Sequence, residues 1–252
     1  MGKVLVTMFQ PTGAKIVVCS RNPSRAKALF LRLGVQTRPV DDVQDADVVV
    51  VSVPIERTVT TCKRLLKRMR PQSLLVDVSS VKNGVVDEIS PSVPGNIEYL
   101  SLHPLFGSDT DEFKGENMLA VGKKMGPLSA SILNFFSKSG LKTTFVTVEE
   151  HDRGTAVTQA LHHFSYMSLV ACMTKLMKNR DIQKFSTRSL RKTIGLVRSF
   201  SDNVETIMDI QARNPHAASV RKKFAEAVST LVQMDDRTIR RIASRMKMFR
   251  NL

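Results

Sequence analysis

Ser73-Leu-Leu-Val-Asp-Val-Ser-Ser-Val-Lys82 is the stretch that decides the fold. Leu74 to Val78 reads as a strand buried on both faces, as in a parallel sheet, and small hydroxyl residues follow where a helix should start. Upstream lies Asp47-Val-Val-Val-Val-Ser-Val-Pro54, a continuous apolar run of the same kind. Between the two, Thr58 to Met69 has the spacing of a basic amphipathic helix, closed by Pro71. Strand, helix and strand at this spacing mean a right-handed crossover and a doubly wound sheet. Downstream, Ser101-Leu-His-Pro-Leu-Phe-Gly107 sets His103 directly before a proline, which biases the histidine toward extended backbone.

The rest of the first half extends the pattern. Lys15 to Ser20 is a short β-branched strand. Ser24 to Gly34 reads as a helix with Ala26, Leu29, Phe30 and Leu33 on one face and a glycine stop. Gln36-Thr37 is a brief extended piece, and Asp41 to Asp45 suits a short helix with acids near its N-terminus. Met118 to Gly122 and Thr144 to Val148 read as further strands around a helix from Leu128 to Ser139. After Val148 no strand pattern remains, and long helical patterns cover His151–Met177, Thr187–Gln211 and Ala217–Phe249, the last with a break near Gln233. The expected division is therefore 1–148 as an α/β domain and 149–252 as an all-α domain. The helices carry more apolar positions than so small a bundle buries, which points to a partner subunit.

The totals narrow the function. No run of about 18 apolar residues occurs, so no membrane span is expected, nor does a signal segment open the chain. Three cysteines, Cys19, Cys62 and Cys172, lack metal-like spacing and suit a reducing cytoplasm; no metal site is expected from the histidines. The formal charge is +15, and Arg180 to Arg250 holds sixteen Lys/Arg against seven Asp/Glu. That balance concentrates anionic ligands. With two Tyr, no Trp and no nucleic-acid motif, a small polyanion and a phosphorylated cofactor fit better than nucleic acid.

Ligands of open α/β sheets sit beyond the carboxyl ends of the strands, which puts Ser79, Ser80 and His103 at one address. A hydroxyl and an imidazole there could meet one substrate hydroxyl. Equally, Ser79 could cap a helix and His103 could be a plain loop residue.

The N-terminus departs from the pattern. Dinucleotide-binding sheets open with a strand, a Gly-x-Gly-x-x-Gly turn and a helix whose N-terminus holds the pyrophosphate. Here Lys3 to Phe9 is separated from the next strand by only Gln10 to Ala14, too few residues for a parallel crossover. Read as a helix, Leu5, Met8 and Phe9 share a face and Gly13 ends it. Met1-Gly2 is then the tail of the glycine turn, with the first strand and leading glycines absent, as in a sequence cut short at an internal methionine.

Asp77-Val-Ser-Ser-Val-Lys82, Leu102-His-Pro-Leu-Phe-Gly107, Glu149-Glu-His-Asp-Arg153 and Gln159-Ala-Leu-His-His-Phe164 together resemble, in order, the motifs of prephenate dehydrogenases. The resemblance implies a Rossmann-like sheet, an all-helical dimerisation domain, and oxidation of prephenate to 4-hydroxyphenylpyruvate on the way to tyrosine. It implies His103 as the catalytic base and Ser80 as a serine that orients His103 or the substrate hydroxyl. It implies Arg198 as the anchor for a substrate carboxylate, with Arg191 two turns earlier as the alternative. Gln159 and His163 resemble a Gln-x-x-x-His element facing the cleft, while His151 is left to helix-end or interdomain hydrogen bonding. Ser20-Arg21-Asn22 follows the strand that meets the cofactor's ribose. An acid there grips NAD, whereas Arg accommodates a 2′-phosphate, so NADP is expected and NAD is the alternative. Ser52, Val53 and Pro54 should line the path to the nicotinamide, and Gly2 and Ser79 are also expected among the cofactor-binding residues. Arogenate dehydrogenase, another Rossmann-type reductase such as an imine or pyrroline reductase, and a catalytically impaired binding protein are the competing readings.

Overall fold

A computed structural model describes residues 1–107, 110–233 and 235–247. The chain divides into two units, Met1–Asp152 and Arg153–Leu252. The first opens with α1 (Gly2–Phe9), extended by a 3-10 turn at Gln10–Thr12 and ended by Gly13 at φ 72°, so the helical reading of the N-terminus holds. There follow β1 (Val17–Ser20), α2 (Pro23–Phe30), β2 (Gln36–Pro39), β3 (Val48–Val51), α3 (Ile55–Leu66), β4 (Leu74–Asp77), α4 (Val85–Ile89), β5 (Glu98–Pro104), β6 (Asn117–Lys124), α5 (Pro127–Lys138) and β7 (Lys142–Phe145).

These strands make two sheets. β1 and β2 pair in parallel, and β3-β4-β5-β6-β7 form the larger sheet in sequence order. Among the described residues β1 and β3 do not pair with each other. β3, β4 and β5 are parallel, whereas β6 runs antiparallel to β5, with His103 opposite Leu119. Between β5 and β6 no helix is present among the described residues, so the chain turns back instead of crossing over. α5 supplies the missing crossover for the next pair, and β7 is parallel to β6. The sheet is therefore parallel-dominated with a reversed edge.

Both faces of the larger sheet are covered. α3 and α4 place Cys62, Leu65, Leu66, Val86 and Ile89 on one face with Val49, Leu75 and Tyr99. α1 and α5 place Val4, Met8, Ile132 and Phe136 on the other with Leu74, Val76 and Leu100. Phe9 closes that layer, stacked on Phe135 at 5.6 Å between ring centroids. The smaller sheet is poorly covered: of the four apolar positions expected on the inner face of α2 only Ala26 is buried, and Leu29 is 65% exposed. A two-stranded sheet offers that helix little surface to pack on.

Three expectations are corrected. Asp41 to Asp45 forms turns, not a helix. Its acids turn to guanidinium groups instead of helical N–H groups: Arg38 Nη1 lies 3.2 Å from Asp45 Oδ1, and Arg64 Nε lies 3.1 Å from Asp41 Oδ1. The strand expected at Thr144–Val148 runs from Lys142 to Phe145, starting two and ending three residues earlier, because Thr147 starts a helix. Thr147 Oγ1 accepts from Glu150 N at 3.1 Å, and Glu150 Oε2 accepts from Thr147 N at 2.8 Å, a reciprocal capping box. The helix expected over Thr187–Gln211 breaks at Asp202-Asn203, two residues whose side chains compete for backbone groups.

The capped helix is α6 (Val148–Thr155), continued by a π-helical turn at Ala156–Leu161 and α7 (His162–Leu176). Then come α8 (Asn179–Lys184), α9 (Arg188–Ser201), α10 (Val204–Arg213), α11 (Ala217–Val232) and α12 (Asp236–Arg245). Sequence character changes at Val148, yet the first unit runs to Asp152, because His151 and Asp152 bond into it. In the second unit, Gln211 Nε2 donates to the carbonyl of Ala160 in the π-helical turn at 2.6 Å, and Arg221 Nη1 donates to Gln211 Oε1 at 2.9 Å. The wide turn disturbs the ordinary helical ladder, and these side chains brace it. Leu176, Phe185, Val204, Met208, Leu231, Val232 and Ile239 are exposed, and none of α7, α9 and α12 contains a buried residue. No helix among the described residues is long and apolar enough to cross a membrane.

Candidate active site

β4 ends in Asp77, an acid in an otherwise apolar strand, and its environment explains why it is tolerated. Asp77 and Lys82 are both fully buried, with Lys82 Nζ 3.1 Å from Asp77 Oδ1. The ammonium's other donors go to the carbonyl of Leu102 at 2.8 Å and to Ser79 Oγ at 3.2 Å, so all three are used. Ser79 Oγ donates to Asp77 Oδ1 at 2.6 Å, and Tyr99 Oη donates to Asp77 Oδ2 at 2.8 Å. Burial pushes toward a higher pKa for Asp77, but the Lys82 charge and the bonds from Ser79 outweigh it and hold the carboxyl low. Asp77-Val-Ser-Ser-Val-Lys82 is thus a folded knot, and its lysine grips β5 one residue before His103.

His103 is 3% exposed, in β5 beside that knot. Its Nδ1 lies 2.9 Å from Nε2 of His151, whose Nδ1 lies 2.6 Å from Asp152 Oδ1. Asp152 also accepts the backbone N–H groups of Lys82, at 3.0 Å, and Asn83, at 2.8 Å. Burial, then the neighbouring His151 and Lys82, place the pKa of His103 well below the ordinary imidazole range, so the ring is neutral at pH 7. For Asp152 burial alone would raise the pKa, and the bonds from His151, Lys82 N and Asn83 N lower it instead. A neutral imidazole on a carboxylate-anchored histidine can accept a proton from a bound hydroxyl.

The predicted residues fall into three groups. His103 stands within this network. Ser79 is buried, with its hydroxyl turned inward to Asp77, so its side chain belongs to the knot and does not face a ligand; Ser80, next to it, is half-buried. Gly2, Ser20, Arg21, Asn22, Ser52, Val53 and Pro54 gather at helix and strand ends of the first unit. Gly2 begins α1, whose first turn has no side-chain cap, and a Cβ at Gly2 would come within 4.0 Å of Ser52 Oγ and Phe30 Cζ. Arg21 is exposed just past β1, Ser20 Oγ accepts from Asn22 N at 3.2 Å, and Asn22 Oδ1 caps α2 through Arg25 N at 3.0 Å. Uncapped helical N–H groups beside the carboxyl end of β3 suit the pyrophosphate of a dinucleotide.

The remaining candidates lie in the second unit. Arg198 is exposed on α9. Arg191, also exposed on α9, donates through Nη1 to the carbonyl of Ser186 at 2.8 Å and so braces the turn before its own helix. Gln159 sits in the π-helical turn, one turn before His163 on α7, and both are half-buried. Burial and then His162 lower the pKa of His163 to about 4. His163 and His162 both pack their rings edge-on against Phe200, at 5.0 and 5.6 Å.

Sequence reasoning left His151 to helix-end or interdomain hydrogen bonding and gave Asp152 no part, so neither was linked to His103. The signal was Thr147-Val-Glu-Glu150, a capping box that starts a helix just before the His-Asp pair and puts both in its first turns.

Two family models match the chain: "Prephenate dehydrogenase, nucleotide-binding domain" over residues 8–119 and "Prephenate dehydrogenase, dimerization domain" over residues 147–247. A probable arogenate/prephenate dehydrogenase of Methanocaldococcus jannaschii is 25% identical over 247 residues, 94% of this chain and 55% of that protein. The chain spans about half the length of most of the curated relatives it matches. Among solved structures, A. aeolicus prephenate dehydrogenase in complex with hydroxyphenyl propionate and NAD+ superposes with a TM-score of 0.81 at 18% identity, covering 98% of this chain and 92% of that one. Synechocystis arogenate dehydrogenase gives 0.73 at 18%, covering 99% and 95%. These likenesses show the fold, and the two adjoining domain models, which between them take in most of the sequence, show that the chain belongs to the prephenate dehydrogenase family.

Proposed function

We propose that the chain oxidatively decarboxylates prephenate to 4-hydroxyphenylpyruvate with NADP as hydride acceptor. The observation that supports this reading most directly is His103: a neutral, buried imidazole at the carboxyl side of the sheet, held by a histidine and a carboxylate. A bound nicotinamide supplies the hydride acceptor. The chain's own work is to orient the substrate and to take the hydroxyl proton at the imidazole of His103 as the ring carboxylate departs as carbon dioxide. In this reading Ser80 steadies His103 or the substrate hydroxyl. Gly2 at the start of α1 would hold the pyrophosphate, Arg21 the 2′-phosphate with Ser20 and Asn22, and Ser52-Val53-Pro54 the nicotinamide side.

Prephenate carries two carboxylates, and a guanidinium forks onto one of them. Arg198 takes that role in this reading, with Gln159 and His163 as polar contacts; Arg191 is second because its Nη1 is already bonded to Ser186. Replacing Arg198 with Gln should raise KM for prephenate about 10- to 100-fold, the worth of a charged hydrogen bond, and leave KM for the cofactor alone. An unchanged prephenate KM removes Arg198 from the site.

The decisive assay supplies prephenate or arogenate with NADP or NAD at equal concentration and follows reduced-nicotinamide absorbance. Prephenate with NADP should be fastest, and a clear preference for NAD defeats the Arg21 argument. Arogenate is the second reading, favoured by the arogenate/prephenate relative and the arogenate dehydrogenase fold match; faster turnover of arogenate would establish it. The exposed apolar positions of α7 to α12 suit a homodimer, which sedimentation at micromolar concentration should show. Cys19, Cys62 and Cys172 are all free thiols, in keeping with a cytoplasmic protein.

A further inference from the structure

We propose that His151 and Asp152 are positioning residues that set the tautomer of His103. The inference rests on the reading of His103 as proton acceptor, and it assigns the Glu149-Glu-His-Asp152 segment a part in that step.

Hydrogen-bond direction propagates along the chain of groups. Asp152 as a carboxylate only accepts, so the 2.6 Å contact requires the proton of His151 to sit on Nδ1. A neutral His151 protonated at Nδ1 has its lone pair on Nε2, so the 2.9 Å contact requires His103 to donate from its own Nδ1. The lone pair of His103 is thereby placed on Nε2. Were the direction reversed, the proton would occupy Nε2 and the ring could not accept one there. When Nε2 takes a proton from a hydroxyl, the oxygen keeps the electron pair and the imidazolium's Nδ1–H still points at His151. The Asp152 charge at the far end then stabilises the cation, as a carboxylate does behind a catalytic histidine elsewhere.

Asp152 is itself built in. The N–H groups of Lys82 and Asn83 hold both of its oxygens, and Lys82 Nζ holds the Leu102 carbonyl beside His103. One loop thus fixes the first and last members of the relay. Among the described residues the ionisable groups of this cluster are Asp77, Lys82, His103, His151 and Asp152, with Tyr99 and Cys62 beside Asp77, and all are buried.

The test combines histidine ring 15N NMR on the unliganded chain with steady-state kinetics. The wild-type ring of His103 should show the Nδ1–H pattern, and Asp152→Ala, which removes the acceptor of the His151 Nδ1–H, should turn it into a mixture of the two tautomers. In kinetics, Asp152→Asn and His151→Phe should lower kcat about 10²- to 10³-fold with little change in prephenate KM. His151→Gln, which offers an acceptor oxygen to His103 and a donor to Asp152, should recover most of the loss. Thermal unfolding of each variant identifies one that simply fails to fold, and the wild-type NMR pattern does not depend on any variant. An Nε2–H pattern in wild type, a pattern unmoved in Asp152→Ala, or near-normal turnover in His151→Phe overturns the relay. If wild type oxidises neither prephenate nor arogenate, the functional reading fails, while the NMR arm still decides the tautomer.

Discussion

His103→Asn should lower kcat about 10²- to 10⁴-fold and leave the KM values for prephenate and cofactor close to wild type. The asparagine amide nitrogen takes nearly the place of imidazole Nδ1, so it can still donate to His151 Nε2 and keep the neighbouring bonds in place. What it lacks is a second, basic nitrogen. The variant therefore removes the proton acceptor and little else, which makes it cleaner than alanine, whose cavity beside a buried ion pair would confound the result. Loss of kcat with retained KM marks an interaction made in the transition state alone. A raised prephenate KM with unchanged kcat would recast His103 as a binding group, and near-normal values of both would exclude it from the reaction.

The legible parts of the fold were those where one physical signal dominated. Val48–Val51 and the Leu74, Leu75 and Val76 of β4 are continuous apolar runs, and such runs have few homes besides a sheet covered on both faces. The helical start was legible for a topological reason, because five residues cannot carry a parallel crossover. It failed where local bonds decide. Thr147 satisfies a β-forming pattern and a capping box equally well, and the reciprocal bonds with Glu150 settle it. Asp202-Asn203 breaks α9 from α10 without disturbing the apolar periodicity that made one helix of them.

The site was legible in the same uneven way. His103 stood out because a histidine before a proline at a strand end is an odd occupant of a core. Ser79 shared its address yet faces inward, because Asp77 and Lys82 need its hydroxyl. Which side of a strand end a short side chain takes depends on long-range partners, here Lys82 reaching across to the carbonyl of Leu102. His151 and Asp152 were hidden for a related reason: their meaning lies in bonds to residues 48 and 70 positions earlier in the chain.

Lys82→Met should be the most destabilising of the substitutions considered, by about 3–5 kcal/mol, because it leaves the Asp77 carboxylate buried without its counter-charge. For a chain of this size that is a fall in Tm of about 10 °C. The pH dependence should also change sign. In wild type the folded pKa of Asp77 is depressed, so its contribution is present above the unfolded value of about 4 and is lost as pH falls through the folded pKa. Without Lys82, burial prevails and the folded pKa rises above the unfolded one. The folded state then binds the extra proton, and stability drops as pH climbs through the window between the two values. Acidification from pH 7 toward pH 5 should thus stabilise Lys82→Met relative to wild type. Adding Asp77→Asn to Lys82→Met removes the stranded charge and should recover much of the loss, since dropping both members of a buried pair costs far less than dropping one. Thermal melts across pH for the three proteins test each step. Equal destabilisation in the single and double variants, with parallel pH profiles, would mean that the ion pair contributes shape alone and that the strand end is held by the Leu102 carbonyl contact and packing.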